Sequence, residues 1–296
     1  MFGFLNVYKP SGMTSFDVVA VLRRITKMKQ IGHTGTLDPF ATGVLPVCIG
    51  KATKLIEYLP DDKEYIASVK FGADTDTYDL EGQIVKTYDR KIKDEELKSA
   101  LKSFEGEIEQ YPPKYSAIKV NGKKLYEYAR SGQDIKIEPR MVKIYEIELV
   151  NFDYDAQIAK IRVSCSKGTY IRSIAYDLGQ KLNCGGHLIA LERTKAGMFN
   201  CENSVNLSDI KSIDDVNKNL INPVYVLPHS KYILNDKEYE KVVHGMAIEC
   251  CKGRMEPEFN EQQSSDIVFL LYGGKMVATG IKNSNLIKVK KVFEVL

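Results

Sequence analysis

A chain of 296 residues is long for a single hydrophobic core and predicts one large domain with a smaller one beside it. Its 44% hydrophobic and 27% charged residues exclude disordered, collagen-like and repeat architectures, and no run of about 18 apolar residues marks a membrane span. The net charge of +3 is unevenly spread: residues 1–60 carry seven basic against three acidic side chains and residues 111–200 fifteen against nine, so two basic stretches face any polyanion.

Six scattered cysteines and an N-terminus without a basic, apolar leader predict a cytoplasmic protein with reduced thiols. Phe4–Tyr8 reads as a strand closed by Lys9-Pro10-Ser11-Gly12. Thr14, with Asp17 three residues on, forms a capping box that opens a helix bearing Val18, Leu22 and Ile25 on one face and Arg23, Arg24, Lys27 and Lys29 off it. The next stretch, Gly32 to Gly43, surrounds Asp38 with glycines and Pro39, which biases the preceding residue towards an extended conformation. That spacing fits an ordinary Asp-Pro turn as well as a reactive loop. A phosphate-binding P-loop is absent, because Gly50-Lys51 runs into Ala52 and Leu45 occupies the first glycine position. No metal site is expected either: His33 has no ligand-type neighbour except Asp38, and Cys184 with His187 lacks a second pair.

A short helix over 52–59 precedes a strand in which Tyr65, Ala67, Val69 and Phe71 share one face. The acidic run Asp74-Thr75-Asp76-Thr77-Tyr78-Asp79 lacks the Gly and Glu of a calcium-binding loop and reads as a solvated turn. A helix follows over 94–104, with Leu97, Leu101 and Phe104 on one side. Residues 111–143 then interleave tyrosines with eight basic and only three acidic residues, a mixture that neutralises phosphates and offers rings for stacking on bases. Strands near 144–150 and 158–165 lead into a helix with Ile171, Ile174, Leu178 and Leu182 on its apolar face. Tyr170 and Arg172 fall in its first turn, where Arg172 is either a surface arginine or the bidentate partner of a buried carboxylate. Asn222–Pro228 reads as a boundary. Beyond it come a short helix over 236–243, an exposed polar loop over 256–266, a hairpin turning at Gly273-Gly274 and a last strand over 286–292, together a small β-rich module.

Lys9-Pro10-Ser11-Gly12-Met13-Thr14-Ser15, the Gly-His-Thr-Gly-Thr-Leu-Asp-Pro string at 32–39, Tyr65, Pro112 to Ala117, Ser166 to Arg172 and Leu191 to Phe199 together resemble the bacterial TruB family of tRNA pseudouridine-55 synthases. The resemblance implies an α+β protein. Residues 1–228 would form a pseudouridine synthase catalytic domain on a mixed, largely antiparallel sheet, with 111–140 as a thumb-like RNA-binding insertion and 229–296 as a PUA-like RNA-binding domain. The implied reaction isomerises one uridine of the tRNA T-loop: the N1–C1′ bond breaks, the uracil turns, and C5 bonds to C1′. It needs no cofactor, metal or energy donor.

The same resemblance assigns Asp38 as the essential carboxylate, acting as a nucleophile at C1′, as a base at C2′ or on the pyrimidine at C6. Arg172 would pair with it and favour its ionised form against the effect of burial. Tyr65 would stack on the uracil and assist removal of the C5 proton, although an unperturbed phenol, with a pKa of about 10, is a poor base. Tyr170 and Leu191 would line the pocket, His33 would fill the gap left by the extruded base, and Lys119 and Lys123 would contact phosphates. Glu192 stands where relatives often carry Arg, so no RNA contact is assigned there. The implied partner is tRNA, bound by a monomer without an obligate protein partner or a membrane. The rival readings are a tRNA-binding or folding protein without catalysis, against which the intact set Asp38, Tyr65, Tyr170 and Arg172 stands, and a guide-RNA-dependent synthase, against which the basic insertion stands.

Overall fold

The computed structural model describes residues 1–133, 135–256 and 266–293. Its main sheet grows from alternation of apolar and polar side chains. In the strand Lys63–Phe71 the buried residues are Tyr65, Ala67, Val69 and Phe71, the face that a period of two predicts. This strand lies between Gly186–Ala196 and Ile158–Cys165, antiparallel to both. The main path of the ten-stranded sheet runs Val205–Asn206, Gly3–Lys9, Thr42–Ile49, Gly186–Ala196, Lys63–Phe71, Ile158–Cys165, Arg140–Asp153, Gly106–Gln110. Two of these neighbouring pairs are parallel, Gly3–Lys9 with Val205–Asn206 and Thr42–Ile49 with Gly186–Ala196, so the sheet is mixed and largely antiparallel.

Helices cover the sheet. The first, Ser15–Thr26, starts at the capping box read from the sequence, with Thr14 accepting from the Asp17 amide and Asp17 capping back, a device worth about 1 kcal/mol. Its Val18, Val19 and Leu22 pack against Leu5, Val7, Leu45 and Val47. Helices Asp94–Lys102 and Ile171–Lys181 join a separate core around Ala67, Val69, Phe71 and Ile161. The second of these lies hard against the chain at Gly185-Gly186: a Cβ on Gly179 would stand 2.2 Å from the Gly186 nitrogen.

The C-terminal residues form a six-stranded sheet in the order Ile248–Glu249, Leu286–Val292, Lys275–Asn283, Ile267–Tyr272, Lys231–Ile233, Met255–Glu256, with the helix Asp236–Val243 against it. Gly273 and Gly274 both have positive φ and turn the hairpin. This unit is docked, not tethered. Phe269, Leu271, Met276 and Phe293 share a core with Val44, Cys48, Tyr58 and Phe199 of the larger unit. Tyr58 meets Phe269 edge-on at 5.6 Å, Phe2 stacks on Phe293 at 5.9 Å, and Glu57 ion-pairs with Lys291.

The short helix expected over 52–59 is present as a 3-10 helix, Gly50–Tyr58. Asp74–Asp79 is no solvated turn: Asp74, Thr75 and Asp79 are buried. Of the polar loop expected over 256–266, residues 257–265 lie outside the described residues.

Candidate active site

The Asp38 loop is splinted from below by the segment that follows the first strand. Ser15 Oγ accepts from the Leu37 amide at 2.8 Å and donates to the Leu37 carbonyl at 3.1 Å. Pro39 offers its carbonyl to the Gly12 amide at 2.9 Å and to Lys9 Nζ at 3.1 Å. Leu37 is buried, so Asp38 is carried between two pinned residues, at the lining of a cavity that Arg172 also lines. The role of Lys9-Pro10-Ser11-Gly12-Met13-Thr14-Ser15 is therefore to hold the loop.

Arg172 reaches this carboxylate from the second residue of the helix Ile171–Lys181, whose N-cap is Tyr170. Arg172 Nη2 donates to Asp38 Oδ1 at 3.2 Å, while Nε lies 3.0 Å from Oδ2 but off the hydrogen-bond line. The remaining donors go to the Thr77 carbonyl at 3.3 Å and the Tyr115 carbonyl at 3.1 Å, and Nη1 stands 3.4 Å from Asp79 Oδ2. One buried guanidinium thus joins two carboxylates.

Asp38, Tyr65, Tyr170, Arg172 and Leu191 line one cavity of about 420 Å³, within the usual range for a small-molecule site. Its far side is closed by Tyr115, Ser116 and Tyr126 from the 111–140 insertion. Three predicted residues stand apart from that lining. His33 ends the strand Ile31–His33, half-buried; the adjoining Thr34 lines a second cavity of about 280 Å³ that shares Lys63 with the first. Lys119 is exposed on a hairpin with Lys123, whose ammonium sits 4.6 Å from the centre of the Tyr128 ring.

A family model described as "TruB family pseudouridylate synthase (N terminal domain)" matches residues 23–171, and one described as "tRNA pseudouridylate synthase B C-terminal domain" matches 172–226. Proteins named tRNA pseudouridine synthase B from Clostridium tetani and Clostridium novyi are 41% and 43% identical to this chain, with 99% of each chain covered. The chain belongs to the TruB family. Among solved structures, a Cbf5-Nop10-Gar1 complex contains a chain 28% identical, with a TM-score of 0.72 over 99% of this chain and 85% of that one. An H/ACA RNP bound to a substrate RNA containing 2′-deoxyuridine gives 26% identity and the same TM-score, over 99% and 86%.

Within this TruB site the charges pull against one another. Although 29% of the Asp38 side chain is open to the cavity, the protein around it desolvates the carboxyl and raises its pKa above the ordinary aspartate range. Arg172 opposes that rise and Asp79 adds to it. Burial pushes the Tyr65 phenol up, against the pull of Arg193, and pushes the Tyr170 phenol up as well. His33 is lowered by burial and by Arg193, and burial brings Lys9 down to about 8.

Reading by sequence missed Asp79 and Arg193. Asp79 belongs to the run taken for a solvated turn, and the signal was donor arithmetic: a guanidinium has five N–H groups, more than one carboxylate satisfies. Arg193 lies inside the Leu191–Phe199 stretch of the TruB resemblance, but its burial is invisible locally. Glu192, its neighbour, accepts from the Tyr8 hydroxyl at 2.8 Å and so serves the fold. Among the described residues no cluster of three or more His, Cys, Asp or Glu is placed to hold a metal, and no helix is long and apolar enough to cross a membrane.

Proposed function

We propose that this chain isomerises uridine to pseudouridine at position 55 in the T-loop of tRNA. The observation that carries the reading is the Asp38 carboxylate held by Arg172 at one cavity with the Tyr65 phenol, in a TruB-family chain. Both routes on the sugar, attack at C1′ or proton removal at C2′, need Asp38 as the carboxylate. Arg172 supplies the positive charge that favours that form and fixes its direction. Tyr65 faces the uracil, and Tyr170 and Leu191 form the walls.

A uridine stacked in a folded loop must swing out to reach this cavity, at a cost of a few kcal/mol. His33, on the loop's approach, enters the gap it leaves. Lys119 and Lys123 hold phosphates from the insertion, and the C-terminal unit holds the rest of the RNA. Such contacts set affinity and leave the bond changes to Asp38. The full-length match to proteins named tRNA pseudouridine synthase B supports tRNA as the substrate; on this reading the chain acts as a monomer in the cytoplasm, without guide or partner protein.

The test is tritium release from tRNA labelled at uridine C5, with no partner protein, comparing wild type and Asp38→Asn. Release by the wild type alone is expected. No release from a tRNA that demonstrably binds overturns the reading in favour of a binding protein or a guided enzyme.

A further inference from the structure

Resting on that reading, we propose that Arg193 is a positioning residue for the chemistry: it supplies the counter-charge that lets Tyr65 take the uracil C5 proton. The site otherwise gives Tyr65 little reason to ionise. It is buried, and of the groups acting on it most strongly Asp38 and Cys165 disfavour the phenolate, whereas Arg193 favours it.

The placement follows from the sheet. Arg193 is the register partner of Tyr65 on the adjacent antiparallel strand, so the two side chains leave the sheet on the same face and the guanidinium's positive charge acts on the phenol. Arg193 is wholly buried. Its Nε donates to the Val44 carbonyl at 2.7 Å, Nη1 to Thr36 at 3.3 Å and Nη2 to Gly35 at 3.2 Å. All three acceptors are main-chain carbonyls, and among the described residues no carboxylate lies within ion-pair distance. A buried cation without a counter-ion is costly, and the protein keeps this one in place with dipoles alone. The group positioned to become its anion is Tyr65.

The step balances. After C5 has bonded to C1′, the base is a neutral imine with a hydrogen on tetrahedral C5. Tyr65, having lost its proton to solvent, takes that hydrogen as a proton. The C5–H electron pair becomes the C5=C6 bond, the C6=N1 pair moves to N1, and N1 takes a proton from water. Tyr65 ends as the phenol, and Arg193 has balanced the transient negative charge without touching the substrate.

A purely structural Arg193, holding the 35–36 carbonyls, would slow every step alike. The experiment is therefore single-turnover kinetics of Arg193→Met on three tRNAs that carry uridine, 5-deuterouridine or 5-fluorouridine at the target. The fluorinated base has no C5 proton to lose. We expect uridine conversion to fall about 10²-fold, with a C5 deuterium isotope effect larger than the wild type's and the rate of 5-fluorouridine rearrangement unchanged. Equal slowing on all three substrates, with no gain in isotope effect, overturns the proposal. Binding of tRNA reports the fold; should Arg193→Met not fold, Arg193→Lys must show the same isotope signature at smaller amplitude, and its absence overturns the proposal as well. Failure of the function reading looks different, since wild type itself would then release no C5 proton.

Discussion

Arg172 stands between two carboxylates, its Nε 3.0 Å from Asp38 and its Nη1 3.4 Å from Asp79. Asp79 is almost wholly buried, whereas Asp38 opens on the cavity. The pair is therefore asymmetric: one carboxylate anchors the guanidinium and the other works against it. Removing Asp38 leaves Arg172 held by Asp79 and by the Thr77 and Tyr115 carbonyls.

Asp38→Asn should therefore lower turnover by ~10³-fold or more while tRNA affinity stays close to wild type. Its stability should not suffer. The fold raises the Asp38 carboxyl, so its contribution to stability is present below the ordinary aspartate pKa and lost as pH rises through the folded value. At pH 7 the substitution removes a cost, and calorimetry should find the variant at least as heat-stable as wild type. A marked loss of both stability and binding would mean that Asp38 is structural.

Asp79→Asn should move the acid limb of the pH–rate profile. The active form requires ionised Asp38, and Asp79 contributes to raising that carboxyl. Removing its charge leaves Arg172 acting on Asp38 alone, so half-maximal single-turnover rate should come at lower pH than in wild type. A limb that stays in place would mean that a different group controls it.

Tyr78 ties this network to the helix that bears Arg172. Its ring stacks on Tyr176 with centroids 4.1 Å apart and planes 15° apart, and its backbone sits at φ +63°. Because the preceding Thr77 gives its carbonyl to Arg172 and the following Asp79 gives its carboxylate, loss of the stack should loosen both contacts. An aromatic pair is worth about 0.5–1.5 kcal/mol, so Tyr78→Ala should lose roughly tenfold in kcat with KM little changed. Tyr78→Phe keeps the ring and should restore the rate; steady-state kinetics on the two variants decides the matter.

What could be read from the chain was local, and what could not was made by distant contact. The Thr14–Asp17 capping box, the alternation that buries Tyr65 and the helix start at Arg172 each depend on neighbours within a turn or two. The strand Gly186–Ala196 escaped because its alternation is broken by register shifts between Leu188 and Ala190 and between Arg193 and Lys195. With that strand unseen, nothing placed Arg193 opposite Tyr65. Asp79 is hidden for the complementary reason: a run of Asp and Thr is usually solvated, whereas here the Thr77 hydroxyl, the Glu81 amide and Arg172 from a remote helix together satisfy the buried carboxylate.

The docking of the C-terminal unit bears on how its role should be measured. Removing residues 229–296 would uncover Phe2, Val44, Tyr58 and Phe199, which share a core with Phe269 and Phe293. A truncated chain would expose a contiguous apolar patch and associate, so its lost activity would say little about RNA contacts. Point variants are cleaner. Phe269→Ala should cost about 3–5 kcal/mol, as large-to-small changes of buried aromatics do. Because the core is shared, calorimetry should show one transition for the whole chain moving down together. Glu57→Gln, which removes only the partly exposed pairing with Lys290 and Lys291, should cost under about 1 kcal/mol. Two separate transitions in wild type, with Phe269→Ala moving only one, would show that the two units fold independently despite their shared core.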